Sequence, residues 1–163
     1  MLNKRNLILI AAVFCLGLFS LIYFRYIGFF TVNVEPACIS GKYFYIDRLN
    51  KKLKDGGYAA FRFKGSKLYK KGHIFLKIVG CTAGQRILTK GYKYYCGGRL
   101  IDKACIRHKN CLPGWLSYNE IIPPGKFFAA GTAWDSYDSK YWGLADTKSV
   151  IGRAYKIIGG KPF

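Results

Sequence analysis

Along the chain the apolar positions form one long unbroken run and then a series of short blocks. The run is Leu7 to Phe24, LILIAAVFCLGLFSLIYF, 18 uncharged residues preceded by Lys4 and Arg5. As a helix it would cover about 27 Å at ~1.5 Å per residue, close to the ~30 Å hydrocarbon core of a bilayer. Arg25, Tyr26, Phe29 and Phe30 follow it and suit the aromatic belt of a membrane interface. No small-x-small site closes the run, and it is longer than the apolar core of a cleavable signal peptide. It therefore predicts a single uncleaved anchor. Lys4 and Arg5 place the short N-terminus in the cytoplasm and everything after Arg25 on the far side.

Beyond the anchor, Tyr43 to Ile46, Tyr58 to Phe63, His73 to Val79, Phe127 to Ala130 and Val150 to Ile158 are short, aromatic or β-branched, and separated by Gly, Asp or Pro turns. These blocks predict strands. No 3.6-residue apolar period of helical length recurs outside the anchor. The expected architecture is mainly antiparallel β, with residues 1–30 as cytoplasmic tip and transmembrane anchor and 31–163 as one β-rich domain. Residues 91–120 hold three cysteines, a basic cluster and Pro113-Gly114, and read as an insertion stapled by a disulfide.

Composition adds a partner question. The net charge is +19, from 27 basic and 8 acidic residues, which suits nucleic acid, an anionic membrane surface or acidic partners. The aromatic residues fall mostly inside strand-like apolar runs and read as core, so nucleic acid is not taken as the partner. An ectodomain beyond the membrane meets an oxidising compartment, the periplasm in a Gram-negative cell. There Cys38, Cys81, Cys96, Cys105 and Cys111 would give two disulfides with one thiol left over. Pairing is not readable from sequence, but proximity favours Cys105 with Cys111 and then Cys81 with Cys96. Cys105, His108 and Cys111 are also ligand types a zinc site uses; the compartment favours the disulfide, and no metal or cofactor is expected.

Two polar features carry candidate chemistry. Lys77 stands alone in the apolar strand HIFLKIVG, where alternation puts Phe75 and Val79 on its face and Leu76 and Ile78 on the other. Neither face is obviously wet. Burial in general pushes a lysine toward the neutral amine, and a neutral lysine can act as a general base; the plainer alternative is a strand lysine whose head snorkels to water. The second feature is GTAWDSYDSKYWG, Gly131 to Gly143, which crowds Ser136, Asp138, Ser139 and Lys140 into five residues. Such a loop can orient a base by hydrogen bonding, or be an ordinary polar turn.

With TVNVEPACISGKY, Thr31 to Tyr43, just past the membrane boundary, these pieces resemble the type I signal peptidases, most closely the conjugative-transfer signal peptidases of plasmids, the TraF type. The pattern N-x-T-x-S-x-P-x-G-x-Y of that group falls on Asn33, Glu35, Ala37, Ile39, Gly41 and Tyr43, three of which match. Its lysine segment K-R-V-x-x-x-x-G-D falls on Lys77 through Gln85, retaining Lys77, Val79 and Gly84. Its late signature S-x-D-S-R-Y-x-G is met by Ser136, Asp138, Ser139, Lys140, Tyr141 and Gly143, with Ile151-Gly152-Arg153 following. The pieces keep their order across the ectodomain.

The resemblance implies a β-rich serine-lysine endopeptidase at the outer face of a bacterial inner membrane. Lys77 would be the general base, Ser136 would orient it, and Asp138 with Lys140 would form a structural pair. The implied substrate is an exported propilin or similar precursor, hydrolysed or cyclised, with conjugation or type IV secretion components as further partners. Ala37 stands where the nucleophilic serine is expected and cannot form an acyl-enzyme. In the alternative signal-peptidase register Asn33 takes that place and also lacks a hydroxyl. Glu35 sits where the family often aims a hydroxyl at the oxyanion, so backbone N–H groups would have to fill that role. Cys38 alternates away from residue 37 and reads as a packed or disulfide-bonded thiol, and His73 has no implied role. The expected chain binds but does not cut. A non-catalytic assembly protein that keeps the peptidase fold to hold pilin is the second reading.

Overall fold

The computed structural model describes residues 3–31, 38–41, 43–106, 111–133 and 135–158. Helix α1, Lys4–Tyr26, is apolar all round with no buried residue, the pattern of a helix that faces lipid on every side. Its 23 residues span about 34 Å, enough to cross a bilayer. Asn3 caps its first turn by accepting from the Arg5 N–H. No loop follows: Ile27, the C-cap residue, already begins strand β1, Ile27–Thr31.

β1 is the edge of a seven-stranded antiparallel sheet of order β1-β2-β11-β3-β4-β9-β10. The other members are β2, Tyr43–Asp47, β3, Tyr58–Arg62, β4, Ile74–Thr82, β9, Lys126–Ala130, β10, Ala145–Asp146, and β11, Val150–Ile158. The five predicted strand blocks are five of these, matched to within a few residues. β3, β4 and β9 are nearly continuous apolar runs because both of their faces are covered. One face carries Ala59, Phe61, Phe63, Val79, Phe127 and Trp142; the other carries Ile39, Phe44, Ile46, Ala60 and Leu76.

A second sheet of order β7-β6-β5-β8 is built from β5, Arg86–Lys90, β6, Lys93–Cys96, β7, Arg99–Lys103, and β8, Asn119–Ile121. It packs Ile87, Tyr94, Ala104 and Tyr118 against Phe128 and Ala130 of β9. Cys81–Cys96 ties β4 to β6, and Cys105–Cys111 closes the segment after β7. Both are the pairs that proximity favoured, and Cys38 is left as a half-buried free thiol.

The register carries one row of residues straight across the large sheet. Ile27 pairs with Asp47, Asp47 with Arg153, Arg153 with Ala59, and Ala59 with Lys77. The first strand residue after the helix and Lys77 therefore lie on the same row. Gly152, one step along β11, has no side chain because a Cβ there would stand 2.2 Å from the Asp47 carbonyl oxygen.

Candidate active site

Lys77 lies on β4, an interior strand of the large sheet, and only 4% of its surface is exposed. The snorkelling alternative is thus not what the chain adopts: the side chain turns inward beside Phe75, whose ring centroid is 5.9 Å from Nζ. Nζ donates a 2.8 Å hydrogen bond to Ser136 Oγ, and Ser136 is fully buried. A strand and a loop 59 residues apart in sequence are joined through these two atoms.

Gly131 makes that approach possible. The β4–β9 register pairs Ile78 with Ala130, so Gly131 follows one step on, alongside Lys77. A Cβ at Gly131 would fall 1.9 Å from Ser136 Oγ, 2.3 Å from Ser136 Cβ and 2.6 Å from the Cys38 carbonyl oxygen. The missing side chain leaves the space the serine fills. The Cys38 carbonyl also accepts from Thr132 N–H at 2.9 Å, so the segment that resumes at residue 38 lies against the same turn. Ala37 and Glu35, like Asn33 and His108, lie outside the described residues.

The polar loop is held from below. Asp138 caps the single-turn helix α2, Ser139–Trp142, by accepting from Lys140 N–H at 3.1 Å, and its other oxygen accepts from Gly131 N–H at 3.2 Å. Lys140 Nζ donates to Asp138 at 2.6 Å, the pair the sequence suggested, and both residues are fully buried. It also donates to both oxygens of Asp102 on β7, each at 3.0 Å. Asp102 has no counterpart in the sequence reading. No local signal marks it, since it is one acid in a basic hairpin and its partner comes 38 residues later. Ser139 Oγ accepts from Ala129 N–H at 2.9 Å, and Tyr118 donates its hydroxyl to the Ser139 carbonyl at 2.7 Å. The small sheet therefore serves as the floor of the loop that meets Lys77.

Burial, and then the charge of Asp138, push the Asp102 carboxyl up to about 7, against the pull of Lys140. Burial alone would lower Lys140; the carboxylates of Asp138 and Asp102 more than offset it and hold the ammonium above its ordinary value. Two carboxylates thus share one buried cation. At the end of the lysine segment, Gln85 takes the place where the family pattern has Asp; its amide donates to Thr82 at 3.1 Å and to Asp55, bracing the β4–β5 turn.

Chemically, the arrangement offers a buried amine, aimed by a serine hydroxyl, next to the chain that follows position 37. The family model described as signal peptidase, peptidase S26, matches residues 3–158. Among solved structures, the chain is similar to a signal peptidase I from Enterococcus faecalis V583, with 19% identity over 64% of this chain and 97% of that one and a TM-score of 0.45. No curated protein sequence matches it.

Proposed function

The chain belongs to the signal peptidase family, peptidase S26, and from that premise we propose that it is the nucleophile-less form of a conjugative-transfer propilin peptidase. The family and the apolar helix α1 together indicate a membrane-anchored peptidase acting on exported precursor proteins. Everything finer is our reading. Residues 1–30 hold the chain in the inner membrane with the N-terminus cytoplasmic, residues 31–163 form the periplasmic catalytic domain, and residues 91–120 are an insertion within it. The observation that supports the catalytic assignment best is the buried 2.8 Å bond between Lys77 Nζ and Ser136 Oγ.

With serine at position 37, its Oγ would attack the scissile carbonyl carbon while its proton passes to the Lys77 amine. The tetrahedral intermediate then expels the amine leaving group, which takes that proton from Lys77, and an ester to residue 37 remains. Water resolves the ester to a free carboxylate; the substrate's own amino end would resolve it to a cyclic pilin. Ser136 holds Nζ in position, and Asp138, Lys140 and Asp102 brace Gly131 and the turn that follows Ser136. Ala37 supplies no oxygen for the first step, so this chain retains precursor without cutting it.

Ala37 equally favours the second reading, a non-catalytic assembly protein that holds pilin in a secretion complex. Co-expression with a propilin separates the two. The peptidase reading expects uncut precursor to copurify with the chain and to be processed once Ala37→Ser is introduced. Precursor that is held but never processed by Ala37→Ser supports the assembly protein.

A further inference from the structure

The hairpin loop between β3 and β4 carries a feature the peptidase chemistry does not use. From residue 56 to residue 101 the chain has no Asp or Glu and ten Lys or Arg. Four of these, Lys64, Lys67, Lys70 and Lys71, lie in this one loop, and all four are exposed. At its tip, between Lys67 and Lys70, Leu68 is 58% exposed. A leucine with that exposure, ringed by lysines, is the composition of a surface that meets the headgroup and acyl boundary of a bilayer.

The loop is a fixed display. Ser66 Oγ accepts from Leu68 N–H and Tyr69 N–H at 3.1 and 3.2 Å, and Ser66 N–H donates to the Tyr69 carbonyl at 2.8 Å. Tyr69 keeps 38% of its surface exposed while its ring packs on Phe75 and Tyr137 at 5.2 and 5.6 Å between centroids, and Leu68 and the four lysines are exposed beside it.

Register supplies the direction. β1 runs from the helix end at Ile27 towards Thr31, and the row Ile27, Asp47, Arg153, Ala59, Lys77 crosses the sheet. Following the alternating strand directions, Arg62 and Ile74 lie three residues beyond that row on the side from which α1 enters, about 10 Å at ~3.3 Å per residue. The hairpin continues the same way past Arg62 and Ile74, with Phe63 N–H donating to the His73 carbonyl and Gly72 N–H to that of Phe63. α1 passes into β1 without a linker, so a domain anchored by that helix carries this loop toward the bilayer.

We propose that the β3–β4 loop is a second membrane contact, with Leu68 entering the interface and Lys64, Lys67, Lys70 and Lys71 binding the phosphates of anionic lipid headgroups. This contact does not depend on which residue is the nucleophile. It would fix the sheet at two points, the helix and the loop, and hold the row containing Lys77 at a set height above the membrane.

The test uses the full chain with Leu68→Trp, reconstituted into vesicles with brominated acyl chains, and reads the fluorescence gained over the parent chain. In phosphatidylcholine vesicles containing phosphatidylglycerol, the Trp at 68 should be quenched. High salt, or Lys67→Glu, Lys70→Glu and Lys71→Glu added to the same chain, should abolish the quenching. Equal quenching in pure phosphatidylcholine, quenching indifferent to the three reversals, or none in either vesicle would overturn the proposal. So would a Trp signal that answers to a single-stranded oligonucleotide and not to phosphatidylglycerol.

Discussion

Gly131→Ala is the smallest change that should disable the site, and its cost can be worked from the geometry. The new Cβ would stand 1.9 Å from Ser136 Oγ, while real Cβ contacts essentially never fall under 3.0 Å. The serine must therefore retreat by about 1 Å, and the Cys38 carbonyl, 2.6 Å from the same Cβ, must also give way. Ser136 is fully buried and the carbonyl is main chain, so neither moves without shifting its neighbours. Overpacking of this kind costs about 1–3 kcal/mol. Separating Ser136 from Lys77 leaves a buried amine short of a partner, a further ~1–3 kcal/mol. Together these amount to roughly 2–6 kcal/mol, which at about 4 °C per kcal/mol lowers Tm by roughly 8–24 °C. The assay is thermal unfolding of the full chain in detergent. Gly17→Ala is the control, since nothing lies within 4 Å of a Cβ at that helix position. A Gly131→Ala melting temperature indistinguishable from that of Gly17→Ala would refute the claim that the missing side chain admits Ser136.

Two further outcomes follow from the floor of the loop. The folded Asp102 carboxyl sits at about 7 against an ordinary 3.8. Between those values the folded chain holds a proton the unfolded chain releases, so its stabilising contribution is full below pH ~4 and lost as pH rises through about 7. Asp102→Asn removes that dependence. The difference in Tm between Asp102→Asn and the parent should therefore move in favour of the variant from pH 5 to pH 8, and a flat or opposite trend would mean the carboxylate is ionised throughout. The Cys81–Cys96 bond closes a loop of 15 residues between the two sheets, so replacing both cysteines with serine should cost about 3 kcal/mol, measured by denaturant unfolding of parent and variant under oxidising conditions.

The parts of the fold legible in sequence were those whose apolar pattern was forced by burial. β3, β4 and β9 are covered on both faces and read as continuous apolar runs. β5 and β8 eluded the same reading because they bury little: Arg86–Lys90 has one fully buried residue, Ile87, and Asn119–Ile121 has none. β1 was hidden differently, since Ile27 to Phe30 continue the apolar composition of the anchor and read as its interfacial belt while in fact pairing with β2. α2 is a single turn, too short to leave a period. In the site, Lys77 was legible as the odd residue of an apolar strand, and Ser136 only as one of a polar crowd to which the family pattern gives a role; the structure brings the two within 2.8 Å. Asp102 was not, because its role exists only once β7 is folded beneath the loop. Gly131 carries no sequence signal either, since a glycine's use here is the space it leaves open beside another side chain.

The reading proposed above is a serine-lysine peptidase that lacks the attacking oxygen at Ala37 and, at Glu35, the hydroxyl the family often aims at the oxyanion. The most direct measurement is the intact mass of a propilin substrate incubated with the full chain in proteoliposomes, as the parent, as Ala37→Ser, and as Ala37→Ser with Lys77→Ala. The account predicts unchanged precursor with the parent, a product cleaved at one bond, linear or cyclised, with Ala37→Ser, and a loss of several orders of magnitude in rate when Lys77 is also replaced. Cleavage by Ala37→Ser that survives Lys77→Ala, or cleavage already present in the parent, would contradict it.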